Sequence, residues 1–338
     1  MKTGKSTMLV LYGPTATGKT DLGIKLAKCA NGELISADSR QVYKGLDIGT
    51  GKVSFKSKVE KHNGYWIVDG VKIRGFDLIE PGKQFTVADF LKFANSSVIQ
   101  ITELKKMPIV VGGTGFYIKA LVDGMDTLGI KADQKLRAKL EKLSRQELYL
   151  KLGKLNPQKA KSMNESDRKN PRRLIRAIEV SIETPSKSRH SGVASTTIES
   201  RSHRSVPLRS RMTEKVLIIG LTAPNNFLFK RADASFKARL EHGMIEEIQS
   251  LIKGGISPEW INSLGLEYRR LADYILGKTS KEESVDLAKG DLHRLIRRQK
   301  TWFNKFKSIE LFDISQKGWE NKLDEKIAIT HKADIYFK

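Results

Sequence analysis

The chain has 338 residues, 39% of them hydrophobic, which is enough for one large domain or two modest ones with a buried core. Its 61 lysines and arginines against 38 acidic residues give a formal net charge of +23, which favours a polyanionic partner such as nucleic acid or an anionic membrane surface. The single cysteine, Cys29, excludes an intrachain disulfide and is expected to be buried, and the six scattered histidines exclude a zinc site. With no signal-peptide region and no run of about 18 apolar residues, we expect no membrane span and a reducing cytoplasm.

Strand and helix patterns alternate along the first third of the chain. Short apolar runs predict strands at 8–12, 33–36 and 108–111. Amphipathic patterns predict helices at 21–30, 85–106 and 116–122. Alternation of this kind is typical of an α/β fold, in which a parallel sheet has helices on both faces.

The middle of the chain changes character before the sheet pattern returns. Residues 133–183 show a charged helical pattern without strand signals, and residues 187–211 have the Ser, Arg and Thr content of a basic linker. A strand pattern follows at 215–221, then mostly helical sequence that includes 281–307, and a last strand at 309–313.

This order is better explained by an insertion than by two domains in tandem. We expect an α/β core made of residues 1–122 and 212–338. Residues 123–211 would then form an inserted, basic helical domain.

One segment matches the phosphate-loop pattern G-x-x-x-x-G-K-[ST] between the first predicted strand and helix, the context that the motif requires. The loop amides and the helix N-terminus favour phosphate charge, Lys19 would contact the terminal phosphate, and the Thr20 hydroxyl would ligate Mg²⁺. Kinases, NTPases and some transferases share this loop, so it does not identify the reaction. Its residues are Gly13, Pro14, Thr15, Ala16, Thr17, Gly18, Lys19 and Thr20.

Polar residues follow two neighbouring strand patterns. Asp38 follows the second strand, and Thr114 follows the third after two glycines. Ligands of open α/β sheets bind at the carboxyl ends of the strands, so both side chains are expected near the phosphates. Asp38 could ligate a metal, accept a proton or bind a hydroxyl, and it could equally cap a turn. Thr114 could donate a hydrogen bond to a bridging or leaving oxygen, or cap the next helix.

Five motifs in chain order together resemble the tRNA dimethylallyltransferase family. They span about residues 9–303 and are the phosphate loop, Ile35-Ser-Ala-Asp-Ser-Arg-Gln-Val-Tyr-Lys-Gly-Leu-Asp-Ile-Gly-Thr50, Val110-Val-Gly-Gly-Thr-Gly-Phe-Tyr117, Asn170-Pro-Arg-Arg-Leu-Ile-Arg-Ala-Ile-Glu179 and Arg297-Arg-Gln-Lys-Thr-Trp302. The resemblance implies a P-loop NTPase/kinase-like parallel sheet core. It also implies that the inserted helical domain helps to grip the anticodon stem-loop of tRNA.

The resemblance implies a reaction as well. A dimethylallyl group would pass from dimethylallyl diphosphate, held with Mg²⁺ in the phosphate loop, to the exocyclic amine of the adenine just 3′ of the anticodon. Asp38 matches the family's general base, Thr114 matches the residue beside the bridging oxygen, and Arg231 matches a diphosphate-binding arginine. The target adenine would leave the stacked bases of the anticodon loop to enter the pocket. Members of the family are expected to work as monomers.

Two basic segments are expected to meet the tRNA phosphates. Residues 168–211 contain eleven Lys/Arg and three Asp/Glu, and residues 289–307 contain seven basic residues and one acid. Phosphate contacts of this kind give salt-dependent affinity. For each single arginine, a solvated helix face is an equal alternative. The expected tRNA contacts are Asp38, Ser39, Arg40, Gln41, Arg137, Arg172, Arg173, Arg176 and Arg298.

The chain departs from the family pattern in several places. Ser235 stands where the family usually has a second arginine, four residues after Arg231, and residues 52–74 are longer than the corresponding segment. Two other functions remain open at this point. A small-molecule kinase would consume ATP but explains neither the basic excess nor the arginine-rich insertion. A P-loop nucleic-acid-binding module would bind RNA without turnover.

Overall fold

The computed structural model describes residues 6–125, 127, 130, 132–184, 213–306 and 308–332. The predicted linker at 187–211 lies outside these residues. No helix within them is long and apolar enough to cross a membrane. The chain divides into two compact units, a sheet unit, Met1–Gly124 with Val206–Lys338, and a helical unit, Met125–Ser205.

An eight-stranded sheet forms the centre of the sheet unit. Its strands are β1 Ser6–Tyr12, β2 Gly32–Ser36, β3 Val59–His62, β4 Tyr65–Val68, β5 Val71–Arg74, β6 Met107–Gly112, β7 Thr213–Thr222 and β8 Glu310–Asp313. They lie in the order β3-β4-β5-β2-β6-β1-β7-β8. Every neighbouring pair from β5 to β8 is parallel, whereas β3, β4 and β5 pair antiparallel. The mostly parallel sheet confirms the predicted α/β fold class.

Helices surround the sheet and also make up the helical unit. Those of the sheet unit are α1 Lys19–Cys29, α2 Val87–Glu103, α3 Gly115–Asp123, α9 Asn225–Glu241, α10 Met244–Lys253, α11 Pro258–Ser263, α12 Leu266–Ile275, α13 Lys281–Thr301 and α14 Trp319–Lys332. Those of the helical unit are α4 Gln134–Leu140, α5 Arg145–Leu155, α6 Pro157–Ser162, α7 Glu165–Arg168 and α8 Pro171–Glu183.

The register of the central strands brings their carboxyl ends to one edge. All six residues of β6 are buried, as expected for a strand that is covered on both faces. Tyr12 at the end of β1 pairs with Gly112 of β6, and Ser36 at the end of β2 pairs with Val111. The phosphate loop, Asp38 and Thr114 follow these three ends, so they meet at the same edge of the sheet.

Residues 52–74 contain β3, β4 and β5, for which no strand was predicted from the sequence. Two-residue turns, Asn63-Gly64 and Asp69-Gly70, connect the three strands. A fully buried lysine, Lys52, anchors the loop before them, with its Nζ 2.6 Å from carboxylate oxygens of both Asp47 and Asp77. Burial of this lysine is tolerated because both carboxylates neutralise it.

Two further predictions were wrong. The helix predicted at 281–307 ends at Thr301, because Phe303 and Phe306 turn inward and place their rings 5.2 and 5.3 Å from the ring of Tyr12. Cys29, expected to be buried, is exposed at the last position of α1.

The helical unit has a small core of its own. Leu148 and Leu152 of α5 are buried against Leu174 and Ile178 of α8. The sequence marks where α8 begins, since Asn170 caps the amide of Arg173 and a proline occupies the first turn, where its missing N–H is harmless. Capping and core together explain why this charged stretch folds as helices.

Candidate active site

The phosphate loop has the tight backbone that its motif predicts. Gly18, just before α1, has a φ of +78°, which only glycine adopts readily. Ala16 also lies in the left-handed region, with a φ of +65°, at a cost of about 1 kcal/mol. A side chain at Gly13 would lie 2.7 Å from the carbonyl oxygen of Leu221 on β7. The loop is therefore strained and held against the sheet.

Lys19 lies over the loop at the beginning of α1. Its Nζ donates to the carbonyl oxygen of Pro14 at 2.6 Å, and the Thr17 hydroxyl donates to the same oxygen at 2.9 Å. Burial lowers the pKa of Lys19 to about 8, although the charge of Asp38 works in the opposite direction. The ammonium group is thus incompletely compensated, and an arriving phosphate would stabilise its charged form.

Gln299 of α13 connects the phosphate loop to the turn after β6. Its Oε1 accepts from the amide of Thr15 at 2.9 Å, and its Nε2 donates to the carbonyl of Gly113 at 3.0 Å. A side chain at Gly113 would lie 2.4 Å from that Nε2, so only glycine leaves room for the bridge. The motif Arg297–Trp302 contains Gln299, but no pattern there indicated this role.

Asp38 and Thr114 bind successive backbone amides of the turn that follows β2. One carboxylate oxygen of Asp38 accepts from the amide of Arg40 at 2.9 Å, and among the described residues no donor reaches the other oxygen. The Thr114 hydroxyl oxygen accepts from the amide of Ser39 at 3.2 Å and does not cap α3. Asp38 keeps an oxygen that can accept a proton, and Thr114 keeps a hydroxyl hydrogen to donate.

Two cavities of the sheet unit meet at Asp38. The phosphate-loop cavity, about 360 Å³, is lined by Lys19, Thr20 and other residues of the loop and α9. The arginine-lined cavity, about 900 Å³, is lined by Thr114, Trp302 and several arginines, including Arg298 of α13. Both volumes are typical of ligand sites. The two cavities share Asp38, Arg40, Gly113, Leu295 and Gln299.

Helix α9 contributes one face to the phosphate-loop cavity. Arg231 donates from Nε to the carbonyl of Ala16 at 2.8 Å, so its guanidinium lies beside the loop. Ser235, one turn later, lines the cavity with a short neutral side chain. Arg239, a further turn on, also lines it but is buried and bound to Glu267. Helix α9 therefore offers the cavity one exposed arginine.

Glu267 of α12 is a buried carboxylate that the sequence did not single out. It lies 3.2 Å from the Nη1 of Arg40 and 2.8 Å from the Nη1 of Arg239. Burial works to raise the pKa of Glu267, but Arg239 and Arg40 hold it below its ordinary value. Because the amide of Arg40 binds Asp38, this ionised pair fixes the turn that carries the carboxylate.

Gln41, which is expected to contact tRNA, lies on the phosphate-loop side of the site. Its Oε1 accepts from the Ser36 hydroxyl at 2.7 Å, and its Nε2 donates to the carbonyl of Gly51 at 3.3 Å. It lines the phosphate-loop cavity, whereas Ser39 and Arg298 line the arginine-lined one and Arg40 lines both. Gln41 therefore holds two loops together at the phosphate side.

The four predicted arginines of the helical unit fall into two groups. Arg137 binds the buried Glu179 through Nε at 2.7 Å and Nη2 at 2.8 Å, and Arg176 reaches the same carboxylate at 3.2 Å. Arg173 is exposed and pairs with Asp167 of α7. Arg172 is exposed and has no ion-pair partner within the described residues. Arg172 and Arg173 are the pair of these four that can meet a ligand without breaking a buried contact.

Replacing Arg137 with Ala is expected to destabilise the helical unit by about 2 kcal/mol, because Glu179 would lose two charge-assisted hydrogen bonds inside the protein. Chemical denaturation followed by circular dichroism measures this loss. Arg172→Ala, at an exposed position, is the matched control and should stay within about 0.5 kcal/mol of the wild type. Unchanged stability of Arg137→Ala together with weaker RNA binding would instead make Arg137 an RNA contact.

A magnesium ion fits the phosphate-loop cavity by the chemistry of its donors. The described residues contain no group of three His, Cys, Asp or Glu side chains that could hold a metal by themselves. Thr20 and Asp21 nevertheless line the cavity at the beginning of α1. Mg²⁺ commonly takes one or two protein oxygens and completes its shell with water and substrate phosphates. The Thr20 hydroxyl beside a bound diphosphate meets that requirement.

Similarity to known proteins covers almost the whole chain. A curated relative named tRNA dimethylallyltransferase, from Alkaliphilus oremlandii, is 35% identical over 315 residues, which are 92% of this chain and 92% of that protein. The solved structure of a full-length tRNA isopentenylpyrophosphate transferase from Bacillus halodurans has a TM-score of 0.62 at 31% identity, covering 97% of this chain and 100% of that one. A eukaryotic dimethylallyltransferase acting on tRNA has the same fold, with a TM-score of 0.73 at 23% identity over 96% of this chain and 79% of that one.

A family model described as IPP transferase matches residues 41–306. That span contains Thr114, Arg231 and the motif Arg297–Trp302, whereas Asp38 and the phosphate loop lie before its first residue. Geometry, relatives and family model agree, and this chain belongs to the IPP transferase family.

Proposed function

We propose that this chain transfers a dimethylallyl group from dimethylallyl diphosphate to the exocyclic amine of the adenine immediately 3′ of the anticodon in tRNA. Its family and its curated relatives support this activity. The observation that carries the proposal is the position of Asp38, at the junction of the phosphate-loop cavity and the arginine-lined cavity. Two substrates that enter from different cavities would meet at this carboxylate.

The donor diphosphate would occupy the phosphate loop. The loop amides from Ala16 to Thr20, the Lys19 ammonium and the Arg231 guanidinium can together neutralise its charge. Thr20 would hold Mg²⁺, which supplies further neutralisation of the diphosphate oxygens when it is bound. An allylic carbon–oxygen bond breaks readily once the leaving diphosphate is stabilised in this way, so these residues would promote departure of the leaving group.

Asp38 would act as the general base. The adenine amine is a weak nucleophile because its lone pair is delocalised into the ring, and a carboxylate that accepts its proton as the new bond forms strengthens it. The carboxylate oxygen that no described donor reaches is suited to this task. Thr114 would donate its hydroxyl hydrogen to the bridging oxygen, since its own oxygen already accepts from the backbone.

The adenine would enter the arginine-lined cavity after leaving the loop stack. Phe116 is 45% exposed there, and its ring lies 6.4 Å from that of Trp302, so both can face a splayed base. Ser39, Arg40 and Arg298 line the same cavity and are our candidates for tRNA contacts within the sheet unit.

We assign residues 123–211 to an inserted tRNA-binding domain and the remainder to the catalytic core. On the inserted domain, Arg172 and Arg173 are the preferred tRNA contacts because their guanidinium groups are exposed. The resemblance to the family supports a monomer, and the single cysteine fits a reducing cytoplasm.

Mass spectrometry of the RNA product tests the proposal directly. The protein is incubated with Mg²⁺, dimethylallyl diphosphate and an anticodon stem-loop that carries adenine after the anticodon. We expect the RNA to gain one five-carbon prenyl group and to gain none when the metal is chelated. ATP turnover with a small-molecule acceptor and no RNA product would indicate a kinase. RNA binding without a product from any donor would indicate a binding module.

A further inference from the structure

A buried carboxylate in the sheet unit holds three arginines. Asp291 of α13 is 5% exposed, and its Oδ2 lies 3.1 Å from the Nη2 of Arg269 and 2.8 Å from the Nε of Arg270. Arg294, one turn along α13, pairs with Oδ1 of the same carboxylate. Burial works to raise the pKa of Asp291, but the three arginines hold it below its ordinary value, so the carboxylate stays ionised.

The cluster carries more positive charge than its carboxylate neutralises. Asp291 is the single acidic partner of Arg269, Arg270 and Arg294 in the part of the chain that the structure describes. The Nε of Arg269 is buried and has no hydrogen-bond partner. Three guanidinium groups around one carboxylate leave an excess of two positive charges, which favours a bound anion.

Two of these arginines lie where the acceptor would be. Arg269 and Arg294 line the arginine-lined cavity together with Asp291, and neither lines the phosphate-loop cavity. Their side chains are 42% and 57% exposed, so a ligand can reach them. Arg270 does not line the cavity, and its guanidinium pairs with the Asp291 carboxylate. The donor diphosphate has its own loop, so the anion at this cluster would come from the acceptor.

We propose that Arg269 and Arg294, positioned by Asp291, form a subsite for a backbone phosphate of the acceptor RNA. The proposal rests on the proposed function, because it takes RNA as the acceptor. A planar guanidinium binds phosphate through paired N–H groups, and a fixed carboxylate behind it directs those groups and reduces repulsion between neighbouring arginines. The target nucleotide would thereby be held by its backbone while its base reaches Asp38.

Arg294→Gln tests the subsite against a matched control on the same helix. Lys289→Gln also removes one positive charge from α13, but Lys289 pairs with Asp286 at 3.3 Å and does not line the cavity. The affinity for the stem-loop is measured without donor over a range of salt concentrations. We expect Arg294→Gln to weaken binding roughly tenfold and to reduce the slope of log affinity against log salt by about 0.7. Lys289→Gln is expected to stay within about twofold.

Steady-state kinetics separate the two possible sources of the phosphate. We expect Arg294→Gln to raise the KM for the stem-loop and to leave unchanged both the KM for dimethylallyl diphosphate and the transfer rate at saturating RNA. A rise in the donor KM instead, or equal weakening by both variants, would overturn the subsite. If the wild-type protein binds the stem-loop but transfers nothing, the proposed function is wrong, and the binding comparison still decides the subsite.

Asp291→Asn tests the positioning role separately. This change makes the cavity more positive, so charge alone predicts tighter RNA binding. We expect weaker binding and a smaller salt slope, because the arginines lose the group that orients them. If Asp291→Asn still unfolds cooperatively and binds the RNA more tightly, Asp291 does not position the arginines of the subsite. Arg294→Gln alters an exposed side chain and keeps the subsite testable if Asp291→Asn does not fold.

Discussion

Replacing Asp38 with Asn is expected to lower the rate of dimethylallyl transfer by about 10²–10⁴-fold, the usual contribution of a positioned general base. Asparagine retains an oxygen that can accept from the amide of Arg40, which lies 2.9 Å from Asp38 Oδ1, so the turn keeps its shape. It cannot take a proton from the adenine amine. The loss should therefore appear in the chemical step, with the donor and the stem-loop still bound.

Single-turnover transfer at saturating substrates, with the affinity for each substrate measured separately, checks this result. Asp286→Asn is a suitable control, because it removes an exposed carboxylate from α13 that pairs only with Lys289 among the described residues. A transfer rate in Asp38→Asn within about threefold of the wild type would assign the proton to another acceptor. A loss of RNA affinity with an unchanged rate would make Asp38 a binding residue.

The parts of the fold that the sequence predicts are those with local signals. The central strands β1, β2 and β6 are apolar because both faces are covered, and the phosphate loop is a contiguous motif between a strand and a helix. From these alone, the rule that ligands bind at the carboxyl edge of an open sheet brings Asp38 and Thr114 together. In the structure Thr114 accepts from the amide of Ser39 and Asp38 accepts from the amide of Arg40, so both side chains bind the same turn, in agreement with that expectation.

The strands β3 to β5 were missed for a physical reason. Each has four residues, and β3 is mostly exposed, so no apolar run marks it. The available signals were the short apolar run Tyr65–Val68 of β4 and the turns on either side of it, since Asn63-Gly64 and Asp69-Gly70 are dipeptides that favour two-residue hairpins. The end of α13 was missed because the helical pattern continues past Thr301, and only the packing of Phe303 on Tyr12 stops it.

The supporting residues of the site could not be found from local patterns. Gln299 binds Thr15 across 284 residues of sequence, and Glu267 binds Arg40 across 227. Such pairs are decided by tertiary packing, and neither periodicity nor spacing indicates them. The same limit applies to Arg137, since no sequence pattern indicated that its guanidinium binds the buried Glu179. An arginine in a basic helix looks the same in sequence whether it faces a carboxylate or a phosphate.

The kcat/KM for dimethylallyl diphosphate is expected to fall as the pH rises through about 8, where Lys19 loses its proton in the free protein. Burial disfavours the charged ammonium and lowers its pKa from 10.5 to about 8, against the opposing effect of Asp38. Below this pH the charged side chain can bind the donor diphosphate, and above it the neutral amine cannot. The KM for the stem-loop should not change as the pH rises through about 8, because Lys19 lines the phosphate-loop cavity and not the arginine-lined one.

Lys19→Met provides the control for this pH dependence. The variant should lose about 10²–10³-fold in kcat, by analogy with removal of a single group that stabilises charge in a transition state. The pH profile of its remaining activity should show no fall near pH 8. The Thr17–Pro14 hydrogen bond does not involve the ammonium, so the loop keeps a contact that preserves its shape. If the fall in activity near pH 8 persists unchanged in Lys19→Met, it reports the titration of a group other than Lys19. A wild-type profile that stays flat up to pH 10 would mean that the bound diphosphate does not depend on the charge of Lys19, and the neutralisation would then fall to the loop amides and Arg231.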